Sequence, residues 1–349
     1  MQLASIVEYY QSALQTRYGS QITQGQRRAL DAIMACRTER YGEMLLQCQT
    51  CDLQQRCFHS CGHRSCPCCQ HYETTQWLER QNQKLLPVEY FMATFTLPYE
   101  LRQLAFYHQQ VVYNALFACA SSTLKDFAIK AKKLGAAMGM TAVLHTHSRR
   151  LDYHPHVHVV IPGGCINTKR RQWKKMKGKY LFNEFALAKV FRARLLEALK
   201  EAGLPLPNKI PSKWVVDCTH VGKGKPALKY LSRYLYRGVI SEKNIVADDG
   251  KKITFRYTDS QSKKTQTRTM LGEDFLWLLL QHVLPKGFRR TRDYGFLHGN
   301  AKKLLSLVQR ILGLFIEPMH RQPRPSFSCP ACKVAMKIIA FIGPAWRSG

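Results

Sequence analysis

The stretch MTAVLHTHSRRLDYHPHVHVVIPGG (140–164) decides the fold of the central part of this chain. Apolar and polar residues alternate in MTAVLHTHS (140–148) and again in HPHVHVVIP (154–162), which predicts two β-strands. The polar segment RRLDY lies between them, and Gly163 and Gly164 follow the second strand. We therefore expect a hairpin of two antiparallel strands.

Histidines are concentrated on one face of the second strand. Alternate residues of a strand share a face, so His156 and His158 point one way, and Val157 and Val159 point to the opposite, apolar face. A lone histidine is more often a structural residue, but two imidazoles separated by one residue can hold a single divalent ion. The pair therefore predicts a metal site.

A third metal ligand is expected from the same hairpin. The candidates are His145, His147, Asp152 and His154. A hairpin around RRLDY would place either His145 or His147 across from His156, and we favour His145. Histidine ligands suit a borderline ion such as manganese, and magnesium is the alternative.

The composition indicates a polyanionic partner. The chain has 349 residues, of which 53 are basic and 23 acidic, and its net charge is +30. Nucleic acid is the usual partner of such a charge, and an anionic membrane is the rival. The N-terminus has no signal-peptide pattern, and the longest apolar run, FLWLLL (275–280), is too short to span a bilayer. We expect a cytoplasmic protein that does not enter the membrane.

Eight of the 13 cysteines fall between Cys36 and Cys69, which favours zinc. Two pairs, Cys48-x2-Cys51 and Cys66-x2-Cys69, are separated by 14 residues and can wrap one tetrahedral zinc ion. A swapped ligand or a second ion stays open, because other candidate ligands lie nearby: Cys36, Cys57, His59, Cys61, His63 and Cys68. Near the C-terminus, Cys329-Pro-Ala-Cys332 is either a reduced pair or part of a zinc site.

The segment KYLSRYLYRG (229–238) predicts a helix that carries a nucleophile. Tyr230 and Tyr234 share one helix face, where tyrosines are more often packing residues. Three cations surround them: Lys229, Arg233 and Arg237. Cations favour the phenolate and hold phosphate, so we expect either tyrosine to attack a metal-polarised phosphate and form a phosphotyrosyl bond to DNA.

Two further basic segments are expected to clamp the DNA backbone. The first, KRRQWKKMKGK (169–179), contains Lys174 and Lys175, and the second, LPKGFRRTR (284–292), contains Arg289 and Arg290. Such contacts supply salt-dependent affinity and position the strand. Trp173 and Tyr180 are candidates for stacking on unpaired bases. The alternative is that these are ordinary solvated loops.

Taken together, these motifs resemble a known family. The matching stretches occur in family order over about residues 30–300: HSCGHRSCPCCQ, ATFTLPYELR, VLHTHSRRLDYHPHVHVVIPGG, WVVDC, YLSRYLYRG and HVLPKGFRRTRDYG. His156-Val157-His158 with the tyrosine pair is the pattern of HUH single-strand nucleases. The whole is similar to the transposases of rolling-circle insertion sequences, of the IS91-like type.

The resemblance implies an α+β fold in three parts. Residues 1–86 would form a small helical and zinc-ribbon-like domain. Residues 87–240 would form an HUH domain, with a central antiparallel sheet flanked by helices and with the tyrosine helix. Residues 241–349 would form a C-terminal region. One tyrosine would nick single-stranded DNA at an element end and stay linked to the 5′ phosphate, and the second would allow strand transfer. The protein would be bacterial, cytoplasmic and associated with the nucleoid when active.

Two other functions remain open from the sequence. A replication initiator or a relaxase would use the same tyrosine chemistry. A zinc-dependent DNA-binding protein without catalysis would account for the charge and the cysteines, but not for the histidine strand or the tyrosine pair.

Overall fold

The structure, a computed structural model, describes residues 2–69, 71–130, 137–176, 178, 181–226, 228, 239–259, 262–314 and 326–344. The chain divides into two compact units. Unit 1 comprises residues 1–73, 236–283 and 318–349, and unit 2 comprises residues 74–235 and 284–317. Residues 241–349, predicted as a C-terminal region of its own, are therefore shared between the two units.

The α-helices of the described ranges are α1 (Leu3–Tyr18), α2 (Gln24–Met34), α3 (His71–Asn82), α4 (Arg102–Tyr107), α5 (Gln109–Lys130), α6 (Glu184–Glu201), α7 (Gly272–Leu280) and α8 (Lys302–Ile311). The strands are β1 (Glu43–Cys48), β2 (Gln54–Phe58), β3 (Glu89–Thr96), β4 (Met140–His147), β5 (Tyr153–Pro162), β6 (Gly164–Asn167), β7 (Gln172–Lys175), β8 (Val216–Lys223), β9 (Ile245–Asp248), β10 (Lys252–Thr258), β11 (Thr265–Leu271), β12 (Thr291–Tyr294) and β13 (Met336–Ile342). No α-helix in these ranges is long and apolar enough to cross a membrane.

Unit 2 is built on a five-stranded sheet in the order β12-β4-β5-β3-β8, and every neighbouring pair is antiparallel. The alternation of the strands gives this sheet one apolar face, on which Val157 and Val159 are fully buried. Helices α5 and α6 cover that face, and the rings of Phe95 and Phe191 meet at 4.9 Å. The predicted α+β class and the central antiparallel sheet flanked by helices are confirmed.

Unit 1 joins segments that are distant in the sequence. Helix α1 packs on α7, where the ring of Tyr18 stacks on Trp277 at 4.8 Å and its hydroxyl donates to Asp274 Oδ1 at 2.7 Å. Helix α2 begins with a capping box formed by Thr23 and Gln26, and the Gln26 amide donates to the Leu280 carbonyl at 2.9 Å. Two three-stranded sheets complete the unit, in the orders β11-β10-β9 and β13-β1-β2.

Three elements differ in extent from their prediction. The sequence of residues 99–133 predicts one long helix, but the structure interrupts it at His108, between α4 and α5. The segment KWVVDC (213–218) predicts a short strand, and in the structure the strand here is Val216–Lys223. Part of the basic segment 169–179 is strand β7. The predicted tyrosine helix lies outside the described residues from 229 to 238.

Candidate functional site

Three histidines meet on the face of the unit 2 sheet that is opposite the helices. His145 on β4 lies directly across from His156 on β5, and His158 follows two positions along the same face. Their ring centroids are 4.3 to 5.1 Å apart, and one nitrogen from each ring lies within 4.8 Å of the others. Since three imidazole nitrogens at this spacing can surround one divalent ion, the group fits a metal site.

Hydrogen bonds to the Nδ1 atoms orient two of the three rings. His156 Nδ1 donates to the carbonyl oxygen of His154 at 2.6 Å. His158 Nδ1 lies 3.0 Å from Thr94 Oγ1 on the neighbouring strand β3. When Nδ1 carries the proton in each of these contacts, Nε2 keeps its lone pair for a metal.

Burial keeps the three rings neutral. His145, His156 and His158 are 4%, 9% and 7% exposed. Burial lowers the pKa of His158 to about 4, and it lowers the pKa of His145 and of His156 well below their usual value. Neutral imidazole is the form that binds metal ions, so the site is ready to bind one at neutral pH.

The other ligand candidates are engaged elsewhere. His147 Nδ1 contacts the Ser148 carbonyl at 3.0 Å, and Asp152 accepts a hydrogen bond from the Ser148 hydroxyl at 3.3 Å. His154 Nδ1 contacts the guanidinium of Arg102. Of the four candidates named from the sequence, His145 is the one that the structure groups with His156 and His158.

Arginines bring positive charge to the histidine face. The Arg290 carbonyl accepts from the Leu144 amide at 2.9 Å, which fixes the start of β12 beside β4. The charge of Arg290 contributes, after burial, to lowering the pKa of His145 and of His147. The guanidinium of Arg102 lies 5.3 Å from the Tyr99 ring centroid and contacts His154, the residue whose carbonyl orients His156. Such cations favour an anionic ligand next to the metal position.

The predicted DNA contacts are only partly described. Lys174 and Lys175 lie on β7, with Lys175 exposed, and Arg289 is exposed immediately before half-buried Arg290. The rings of Trp173 and Phe296 form a T-shaped pair with centroids 5.9 Å apart, so the indole already has an aromatic neighbour. The remaining predicted site residues lie outside the described residues: Tyr180, Lys229, Tyr230, Arg233, Tyr234 and Arg237.

The cysteines of unit 1 form two groups of four. One contains Cys36, Cys61, Cys66 and Cys69, and the other contains Cys48, Cys51, Cys329 and Cys332. Within the first, the sulfur of Cys69 lies 3.6 Å from that of Cys36 and 3.5 Å from that of Cys61. Zinc–sulfur bonds of about 2.3 Å in a tetrahedron place sulfurs about 3.8 Å apart, so this donor set fits zinc.

The sequence predicted that Cys48, Cys51, Cys66 and Cys69 bind one zinc ion together. The structure instead divides them between the two groups. Cys66 and Cys69 face Cys36, which follows α2, whereas Cys48 ends β1, where it pairs with the C-terminal strand β13. In the second group, the Thr50 and Cys51 amides lower the pKa of Cys48 to about 6, which favours its thiolate.

Several contributing residues were missed from the sequence. Thr94 is one of two threonines in YFMATFTLP (90–98), a stretch typical of a buried strand, and only its register opposite His158 reveals its contact. Arg102 belongs to a predicted helix and carries no local signal. Cys36 and Cys61 were named only as alternatives, because neither belongs to a CxxC pair.

Comparison with known proteins gives two matching families. A family model described as "Putative transposase" matches residues 139–304, and one described as "Transposase zinc-binding domain" matches residues 6–97. The protein named "Putative transposase y4qJ" from Sinorhizobium fredii is 31% identical over 370 residues, which cover 95% of this chain and 92% of that protein.

Two further similarities are more distant. The "Transposase for insertion sequence element IS801" from Pseudomonas savastanoi pv. phaseolicola is 28% identical over 284 residues, or 76% of this chain and 68% of that protein. Among solved structures, the conjugative relaxase TrwC in complex with oriT DNA aligns over 64% of this chain and 73% of its own, with 14% identity and a TM-score of 0.27.

Proposed function

Because the chain belongs to the IS91-like transposases that carry an N-terminal zinc-binding domain, we propose that it nicks and rejoins single-stranded DNA at the ends of an insertion sequence, by rolling-circle transposition. The observation that carries this proposal is the buried group of His145, His156 and His158, with its oriented ring nitrogens and its arginine neighbours. The protein would act on DNA in the bacterial cytoplasm, at the nucleoid.

The histidines would hold a divalent ion, manganese or magnesium, next to the scissile phosphate. When bound, that ion supplies Lewis-acid stabilisation of the charge that develops on the phosphate oxygens. The protein supplies the fixed ring orientations, through Thr94 and the His154 carbonyl, and the positive charge of Arg290. Preorganised charge of this kind acts without reorganisation during the reaction.

The nucleophile would be Tyr230 or Tyr234. This part of the proposal rests on the sequence pattern and on the family. The phenolic oxygen forms a bond to phosphorus, the bond from phosphorus to the 3′ oxygen breaks, and that oxygen leaves as a 3′ hydroxyl after taking a proton. The DNA 5′ phosphate then stays on the tyrosine, so attack by a 3′ hydroxyl can rejoin strands without an external energy source.

Covalent trapping tests the proposal. Labelled single-stranded DNA from the flanks of the gene is incubated with the protein and manganese or magnesium, and label that stays on the protein in a denaturing gel is measured. We expect a metal-dependent adduct that is abolished in H156A/H158A and in Y230F/Y234F, and reduced in each single tyrosine variant.

Two matched controls separate chemistry from damage. H108A and Y107F change an exposed histidine and an exposed tyrosine of unit 2, and both should keep the adduct. An adduct that persists in Y230F/Y234F would refute the tyrosine mechanism. Tight, salt-sensitive binding with no adduct under any metal would instead indicate a zinc-stabilised DNA-binding protein.

A further inference from the structure

Four cysteines from opposite ends of the sequence converge in unit 1. Cys48 Sγ lies 3.3 Å from Cys332 Sγ, and Cys51 Sγ lies 3.6 Å from Cys329 Sγ and 3.8 Å from Cys332 Sγ. These separations agree with the roughly 3.8 Å between sulfurs around a tetrahedral zinc ion. The pair at 329 and 332, which looks solitary in the sequence, therefore has a partner pair 278 to 284 residues away.

The two CxxC turns have the same backbone construction. In each, the amide of the first cysteine donates to the carbonyl five positions later, from Cys48 to Leu53 at 2.9 Å and from Cys329 to Val334 at 2.8 Å. Each turn connects paired extended segments, β1 with β2 in one case and the Ser328–Ala335 bridge in the other. Two equivalent turns thus present their sulfurs to each other.

In both turns the residue after the second cysteine has the left-handed backbone conformation. Asp52 has a φ of 54° and Lys333 a φ of 62°. This conformation is unfavourable for residues other than glycine, and its occurrence at equivalent places indicates that both turns need it. The Thr50 amide also approaches Cys48 Sγ at 3.4 Å, an arrangement that stabilises a thiolate.

The surroundings suit a structural ion rather than a reactive one. Cys48 and Cys329 are fully buried, and they pack with Leu46 and Met336 in a small apolar cluster. Strand β13 pairs with β1 along its length, with Cys48 opposite Met336. Four sulfur ligands leave no open coordination position, so the group has no place for a substrate or a reactive water.

We propose that Cys48, Cys51, Cys329 and Cys332 bind a second structural zinc ion, which fastens the C-terminal segment 326–344 to the β1–β2 hairpin. This site is separate from the group around Cys66 and Cys69. The matching zinc-binding family model covers residues 6–97 and so does not include the C-terminal pair. Binding displaces the thiol protons to solvent and leaves the oxidation state of sulfur unchanged.

Zinc stoichiometry of the full-length protein is the first test. We expect two zinc ions per chain, measured by inductively coupled plasma mass spectrometry on full-length protein from zinc-supplemented medium, with H156A/H158A as the background so that the histidine group adds no ion of its own. The variant C329S/C332S should contain one fewer. C332H should keep the full content, because histidine can replace one thiolate ligand.

Cys68 offers a matched control. It is exposed, it lies in the segment CPCC (66–69) between two cysteines of the first group, and it belongs to neither group of four. C68S should therefore keep the zinc content of the unchanged protein. A C329S/C332S variant with undiminished zinc would overturn the proposal. The same conclusion follows if the unchanged protein holds only one ion and C329S/C332S still holds it.

Alkylation of the unchanged protein decides the matter even if the variants fold poorly. With zinc bound, the four cysteines of the proposed site should resist iodoacetamide while Cys68 reacts. A chelator should expose all four together, as read by peptide mass spectrometry. Cys329 and Cys332 that react as fast as Cys68, or that are found as a disulfide, would contradict the site. None of these readouts depends on DNA cleavage, so they are independent of the proposed transposase activity.

Discussion

At the scale of single residues, the histidine group depends on atoms that would not themselves touch a metal. The Thr94 hydroxyl and the His154 carbonyl each engage the Nδ1 of a histidine on β5 and so direct its Nε2 to the opposite side. Such partners of ligating histidines fix the tautomer and the ring orientation. They come from β3 and β5, so the sheet itself aligns the site.

Replacing Thr94 with valine should weaken metal binding while the fold is kept. The isosteric T94V removes the hydroxyl that contacts His158 Nδ1, and loss of such a partner costs about 10- to 100-fold in metal affinity. Manganese affinity is measured by calorimetry, and stability by urea unfolding. T96V is the matched control, because Thr96 lies two residues along β3, opposite His156. Equal affinities for T94V and the unchanged protein would remove Thr94 from the site.

At the scale of elements, the short strand β12 completes the edge of the unit 2 sheet. Asp293 on β12 accepts from Thr141 Oγ1 at 2.6 Å, from Lys84 Nζ at 2.6 Å and from Gln81 Nε2 at 3.3 Å. Its side chain is only 16% exposed. One carboxylate thus links β12 to β4 and to the end of α3, and it holds the neighbouring Arg290 segment beside the histidines.

Removal of this carboxylate should destabilise unit 2. In D293A, three donors lose a partly buried charged acceptor, and we expect the free energy of unfolding to fall by about 2–3 kcal/mol. Urea denaturation followed by circular dichroism measures the change. E201A, at the exposed end of α6, is the control and should stay within about 0.5 kcal/mol of the unchanged protein. A D293A variant as stable as E201A would show that β12 is held by its backbone pairing alone.

The elements also show what local sequence can predict. The alternation in β4 and β5 predicts both strands, their pairing and the common face of His156 and His158, because side-chain direction follows from the two-residue period. Strand β8 extends further than predicted, since its polar end is held by pairing with β3 and by the 2.8 Å contact of His220 with Glu89. The division of the cysteines depends on the pairing of β13 with β1, which no local pattern encodes.

At the scale of the whole molecule, the net charge of +30 sets the strength of attraction to nucleic acid. A polyanion releases counterions when basic side chains neutralise its phosphates, so affinity falls with salt. The exposed Lys175 and Arg289 belong to two basic segments that are distant in the sequence but lie in the same unit. If both side chains contact the DNA backbone, each should contribute its own increment to the salt dependence of binding.

The double variant K175A/R289A should therefore bind single-stranded DNA more weakly and with a smaller salt dependence. Each lost phosphate contact lowers the slope of log affinity against log salt by about 0.7 for single strands, and oligonucleotides of different sequence should be affected alike. Fluorescence anisotropy without divalent metal, at several salt concentrations, gives the slope. K200A removes an exposed charge of α6 that lies outside both segments and should leave the slope unchanged. If K200A lowers the slope as much per charge as K175A/R289A does, the attraction comes from the net charge of the molecule, and the two segments are ordinary solvated surface.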